Sequence, residues 1–171
     1  FFPLAGLLTL TILIADDHAV VREGLRLLLD AEEGFTVVAE SGDTDGALRA
    51  VLGHKPDVLV LDLNMPHMDG YAVMAQLQSL GDPLLPPILV LTAQSSQDHQ
   101  LRALGAGARD FVSKPFDRAE LLIRVKNLLD VHLAHRLLYQ QRDVLEQMVA
   151  LRTQQLQASA SQIRADRKSV V

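Results

Sequence analysis

The chain has 171 residues, of which 49% are hydrophobic and 22% charged, the balance of an ordinary globular protein and not of a disordered chain. The absence of cysteine excludes a disulfide framework and a thiolate metal site. Aromatics at 4% with no Trp, and a net charge of −5, argue against a base-stacking surface and against general attraction to DNA or an anionic membrane.

Residues 1–15 carry no charge until Asp16-Asp17 stops the run. A secretory signal needs a basic start and a membrane span needs about 20 apolar residues, and neither is present. Residues 1–9 are therefore expected to be a disordered or extended leader, and Phe instead of Met at position 1 suggests a processed product or a fragment. A cytoplasmic location is expected. Thr11-Ile12-Leu13-Ile14-Ala15 is a continuous apolar run, which predicts a strand buried on both faces. Val20, Val21, Leu25, Leu28 and Leu29 then recur at helical spacing, with Glu32-Glu33-Gly34 ending the helix. Thr36-Val37-Val38-Ala39 predicts a second strand. Asp43 or Thr44 can cap a helix that Gly53 and Pro56 stop, and residues 57–62 form the clearest buried strand.

The rhythm then repeats. Asp69-Gly70 opens a helix to about Leu80, Ile88-Leu89-Val90-Leu91-Thr92 is the fourth strand, and a helix near residues 97–104 leads through Gly105-Ala106-Gly107-Ala108 to a strand at 110–112. Asp117 and Glu120 stand at capping-box spacing before the last helix. Five strands and five helices in strict alternation demand right-handed crossovers and a parallel sheet covered on both faces. The expectation is a flavodoxin-like, doubly wound α/β domain over residues 10–130, with strand order 2-1-3-4-5.

Beyond Asp130 the composition changes. Residues 131–163 contain no Gly or Pro and are rich in Gln, Leu, Arg and Ala, predicting a helical extension over 131–165 continuous with the fifth helix, then a short tail over 166–171. One seam runs Leu138, Leu145, Val149, Leu156 and Ile163, interrupted by Arg142, Arg152 and Ser159; another runs Leu137, Val144, Met148 and Leu151. Neither gives three clean heptads, so a coiled coil has partial support. Charge divides at the same place: residues 1–130 hold 10 Lys/Arg against 18 Asp/Glu, net −8, and residues 131–171 hold 6 against 3, net +3.

In an open parallel sheet the reactive crevice lies outside the carboxyl ends of the strands. Asp16-Asp17 follow strand one, Asp62 ends strand three, Thr92 ends strand four and Lys114-Pro115 follow strand five. Three carboxylates gathered at one rim repel one another and call for a cation. A hard divalent ion with oxygen ligands answers that, and Mg²⁺ suits an incomplete carboxylate set that leaves room for phosphate.

This set, with intervals of 45, 30 and 22 residues after Asp17, resembles the receiver domain of bacterial response regulators. So do the strings Ile-Leu-Ile-Ala-Asp-Asp, Leu-Asp-Leu-Asn-Met-Pro with Met-Asp-Gly-Tyr, and Gly-Ala-Arg-Asp-Phe-Val-Ser-Lys-Pro-Phe. The resemblance covers about residues 10–130. It implies that Asp62 is the phosphoacceptor for a histidine kinase or phosphotransfer protein. It implies that Asp16, Asp17, Asp62 and the main-chain carbonyl of Asn64 hold Mg²⁺. Thr92 and Lys114 would bind phosphoryl oxygens, Thr92 and Phe111 would form the switch, and Lys114-Pro115 would be a cis peptide. Asn64 and Met65 could set how fast the acyl phosphate hydrolyses.

His18 is expected to start the first helix and not to be a ligand, His67 at most tunes access to the site, and His132 and His135 are expected on an exposed helix face. An aspartate-nucleophile phosphohydrolase is the rival reading, but it wants a second Asp two residues on, where Asn64 cannot act as a general acid. Nothing after residue 130 resembles a helix-turn-helix, so direct nucleic-acid binding is not expected. Residues 124–156 resemble the linker helix before cyclic-di-GMP phosphodiesterase domains of the HD-GYP type, and diguanylate cyclase and kinase linkers read alike. A homodimer through this helix is expected, either to drive an output domain or as a stand-alone interaction module.

Overall fold

The computed structural model describes residues 9–63, 69–93 and 97–168. Five strands, β1 (Leu10–Ala15), β2 (Phe35–Ser41), β3 (Val58–Asp62), β4 (Ile88–Thr92) and β5 (Asp110–Ser113), alternate with α1 (Ala19–Asp30), α2 (Thr44–His54), α3 (Gly70–Ser79), α4 (Gln97–Gly105) and α5 (Arg118–Lys168). The strands form one sheet in the order β2-β1-β3-β4-β5, and every pairing is parallel. This is the doubly wound arrangement that the alternating pattern predicts.

The unbroken apolar strands follow from having both faces covered. Ile12, Ile14, Val58, Val60, Leu89, Leu91 and Val112 face one way and pack with Leu25 and Leu29 of α1 and Leu121, Val125 and Leu129 of α5. Their alternate neighbours Leu13, Ala15, Leu59, Leu61, Ile88 and Val90 face the other way, against Ala47 and Val51 of α2, Val73, Met74 and Leu77 of α3 and Ala103 of α4. One rung is irregular: the β1–β2 register shifts between Ile12 and Leu13. No periodicity in the sequence signals that shift.

Local punctuation agrees with the helix starts. The Asp43 side chain caps α2 by accepting from the Gly46 N–H, and Asp69 caps α3 by accepting from the Tyr71 and Ala72 N–H groups. Asp117 likewise accepts from the Ala119 N–H at 3.2 Å. The predicted reciprocal bond from Glu120 gives way to an ion pair, because Glu120 accepts from Arg124 at 3.1 and 3.2 Å. Gly70 permits a close approach of α3 to the end of β3. A Cβ there would lie 2.9 Å from the Asp62 carbonyl oxygen and 2.8 Å from a Leu63 methyl.

The chain divides into two compact units, Phe1–Leu133 and Ala134–Val171. His132 corrects an expectation. It is 7% exposed and, with Gln78, Pro86 and Arg109, lines a cleft of about 610 Å³. The α5 face bearing Leu121, Val125 and Leu129 continues to position 132 at helical spacing, which carries the imidazole inward. His135 is exposed, as expected. In the second unit the helix runs on to Lys168, and its large apolar side chains from Leu137 to Ile163 are exposed. Among the described residues, no helix is long and apolar enough to cross a membrane.

Candidate phosphoacceptor and metal site

The sheet register explains why the polar residues converge. Ala15 pairs with Leu61, Asp62 with Leu91 and Thr92 with Ser113. Asp16, Asp62, Thr92 and Lys114 therefore emerge at one rim, each at or just past the end of its strand. Asp16 is 0% exposed and Asp62 2%, a depth at which carboxylates need partners. Lys114 supplies one: its Nζ donates to Asp62 Oδ2 at 2.7 Å and to Asp16 Oδ2 at 3.4 Å. The lysine is held from behind, its main-chain N–H donating to the Thr92 carbonyl at 2.7 Å, and the Lys114–Pro115 bond is cis.

Asp16 is further fixed by its own turn, where Oδ1 accepts the His18 N–H at 2.8 Å. Carboxylate oxygens of Asp16, Asp17 and Asp62 and a nitrogen of His18 all lie within 4.8 Å of one another. Three carboxylates are thus gathered in a largely buried place, where the Lys114 ammonium reaches two of them, Asp16 and Asp62. The three carboxylates alone offer oxygens in a compact, incomplete shell, the chemistry that a hard divalent cation requires. Asn64, Met65 and His67, read from the sequence as relevant to this site, lie outside the described residues.

Thr92 is buried at the end of β4. Phe111 sits on β5 opposite Val90, half-buried and packed against the apolar cluster under α2, α3 and α4. The Arg124 guanidinium lies 5.8 Å from its ring centroid and donates to both oxygens of Asp110, at 2.8 and 3.0 Å. The Asp110 hydrogen bonds, joined by that of Glu120, raise the Arg124 pKa above its ordinary value and hold the guanidinium beside the aromatic ring.

Two neighbours of the site escape a reading by motif. His18 is the N-cap of α1, as expected of a helix-starting residue, but its Nδ1 also lies 2.6 Å from Asp17 Oδ1 and 3.4 Å from Asp16 Oδ1. Arg22 donates from Nη1 to the Asp16 carbonyl at 2.6 Å. The sequence clue for both is proximity: His18 directly follows the acidic pair and Arg22 lies five residues after Asp17.

The chain matches the response regulator receiver domain family over residues 12–126. It is 44% identical over 122 residues to response regulator MprA of Mycobacterium ulcerans, covering 71% of this chain and 51% of that protein. It therefore spans about half the length of the curated relatives it matches. Among solved structures it is similar to a LuxR-family two-component response regulator from Aurantimonas sp., with a TM-score of 0.66 and 34% identity over 71% of this chain and 86% of that one. It is also similar to the CheX–CheY–BeF3–Mg²⁺ complex from Borrelia burgdorferi, with a TM-score of 0.64 and 26% identity over 71% of this chain and 90% of that one. A doubly wound sheet whose strand ends bring Asp16, Asp17, Asp62 and Lys114 together, and a sequence that matches over most of that sheet, place this chain in the response regulator receiver domain family of two-component systems.

Proposed function

We propose that the domain is a phosphorylation-controlled switch in which Asp62 takes a phosphoryl group from the phosphohistidine of a histidine kinase or phosphotransfer protein. The observation that carries this reading is the buried Asp62 carboxylate, at the carboxyl end of β3, held 2.7 Å from the Lys114 ammonium. In the transfer, an Asp62 oxygen forms a bond to phosphorus while the P–N bond to the donor imidazole breaks, its electron pair leaving with the nitrogen. Lys114 is placed to follow the negative charge from the carboxylate to a phosphoryl oxygen, and the Thr92 hydroxyl would donate to another.

Asp16, Asp17 and Asp62, with the Asn64 main-chain carbonyl, would hold Mg²⁺, which supplies charge neutralisation during transfer. The Mg²⁺ in the name of the related CheY complex agrees with that choice of ion. Thr92 and Phe111 would relay the charge change by shifting a pre-existing two-state equilibrium. No turnover of a substrate is needed beyond self-phosphorylation and dephosphorylation.

The signal would leave a cytoplasmic receiver (10–130) through a helical extension (131–165). The extension would act as a homodimerising element and pass the signal to an output domain or a partner. Asp62→Asn tests the phosphoacceptor directly. With acetyl phosphate and Mg²⁺ the wild-type chain should take up one phosphoryl group per chain and the variant none; normal labelling of the variant would sink the assignment. Sustained release of phosphate from small phosphate esters would favour the hydrolase reading instead.

A further inference from the structure

The turn after β1 contains a cation that the transfer step above does not use. Arg22, in the first turn of α1, sends Nη1 back to the main-chain carbonyl of Asp16 at 2.6 Å, while its Nε faces Glu40 Oε2 at 3.6 Å. The sheet register of β1 ends at Ala15, paired with Ser41 and Leu61. The Asp16 N–H still reaches the Ser41 carbonyl at 3.0 Å, but the Asp16 carbonyl lies past the last rung. A buried carbonyl there needs a donor, and Arg22 provides a charge-assisted one.

The slot for the guanidinium is built from both sides. A Cβ at Gly42 would lie 3.1 Å from Arg22 Nη1 and 3.9 Å from the Asp16 carbonyl oxygen, so a side chain at position 42 would crowd the bond. The Asp16 carboxylate is meanwhile tied to the His18 N–H and to Lys114. The carbonyl thus gives Asp16 a second tie to the start of α1, beside the His18 N–H on its carboxylate, and through the peptide bond it also orients Asp17.

We infer that Arg22 is a positioning residue for the divalent-cation site, fixing the turn so that Asp16 and Asp17 present their carboxylates together with Asp62. This rests on the reading of those carboxylates as cation ligands. Two effects of Arg22 oppose each other. Its positive charge repels a divalent cation, so on Coulomb grounds removing it would tighten binding. Its hydrogen bond holds the ligand turn, and loss of such an outer partner typically weakens metal affinity about 10–100-fold. The bond is short and the Arg22 charge is already partly balanced by Glu40, so positioning outweighs repulsion.

The test is calorimetric titration of the full chain with MgCl₂, with circular dichroism to show that each variant is folded. Arg22→Met should weaken Mg²⁺ binding about tenfold. Gly42→Ala changes no charge and should weaken it in the same direction by displacing the guanidinium. The double variant should bind no more weakly than Arg22→Met alone, because both remove one interaction. Binding by Arg22→Met as tight as wild type or tighter, or additive losses in the double variant, would overturn the inference. A wild-type chain that takes up no Mg²⁺ would overturn both this inference and the cation-site reading beneath it.

Discussion

The two units of this chain use the same apolar residues in opposite ways. In the first, strand residues such as Leu13 and Leu59 are fully buried, the central strands β1, β3 and β4 being covered by helices of their own chain on both faces. In the second, nine large apolar side chains from Leu137 to Ile163 are 55–65% exposed. A parallel sheet supplies its own cover because each crossover lays a helix on it. A lone helix satisfies its backbone internally but has nothing of its own to cover its apolar stripe. Apolar residues therefore mark a completed core in the first unit and, among the described residues, an exposed face in the second.

Removing the same kind of side chain from each unit should have very different consequences. Leu13→Ala empties a site enclosed by β1, α2 and α3 residues and should destabilise the domain by about 2–5 kcal/mol. Leu145→Ala should leave denaturant unfolding of the receiver unchanged within roughly 0.5 kcal/mol. Equal losses in urea titrations of the two variants would refute the distinction.

The second unit has its own test. If its stripe is covered by a second copy, the paired substitution Leu145→Glu and Val149→Glu should reduce the mass seen by light scattering from dimer to monomer. Labelling of Asp62 should persist. A mass that is the same before and after the substitution would reject self-association through this face.

The smallest expected effect concerns α5 where it belongs to the first unit. Lys126 donates to Glu32 at 2.6 Å, and this hydrogen bond lowers the Glu32 pKa below its ordinary value. A carboxylate depressed by folding stabilises the fold above its unfolded pKa, and that contribution is lost as pH falls through the folded value. The melting-temperature gap between wild type and Glu32→Gln should therefore exist at neutral pH and close as pH falls below the ordinary carboxylate value of 4.5. A gap independent of pH would show that the carboxylate charge does not contribute.

Much of the site can be read from the linear chain because each polar residue directly follows an apolar run, and a run that ends in a parallel sheet ends at the rim. Asp16, Asp62, Thr92 and Lys114 all stand in such positions in the linear chain. The pattern misses Arg22 and His18, whose relevance depends on the direction in which α1 leaves β1. It also misses His132. Composition changes near residue 130, whereas the buried α5 face continues to position 132 because burial depends on what the helix packs against.

Periodicity and chain connectivity suffice for the alternation of elements, the parallel sheet, the place of each strand end and the helical extension beyond residue 130. Tertiary structure alone decided that the Lys114 ammonium lies within reach of two buried carboxylates, that the Asp16 carbonyl is met by Arg22 and that Gly70 lets α3 approach Asp62. Those contacts join residues from different elements, and no local pattern records a distance set by the packing of several elements at once.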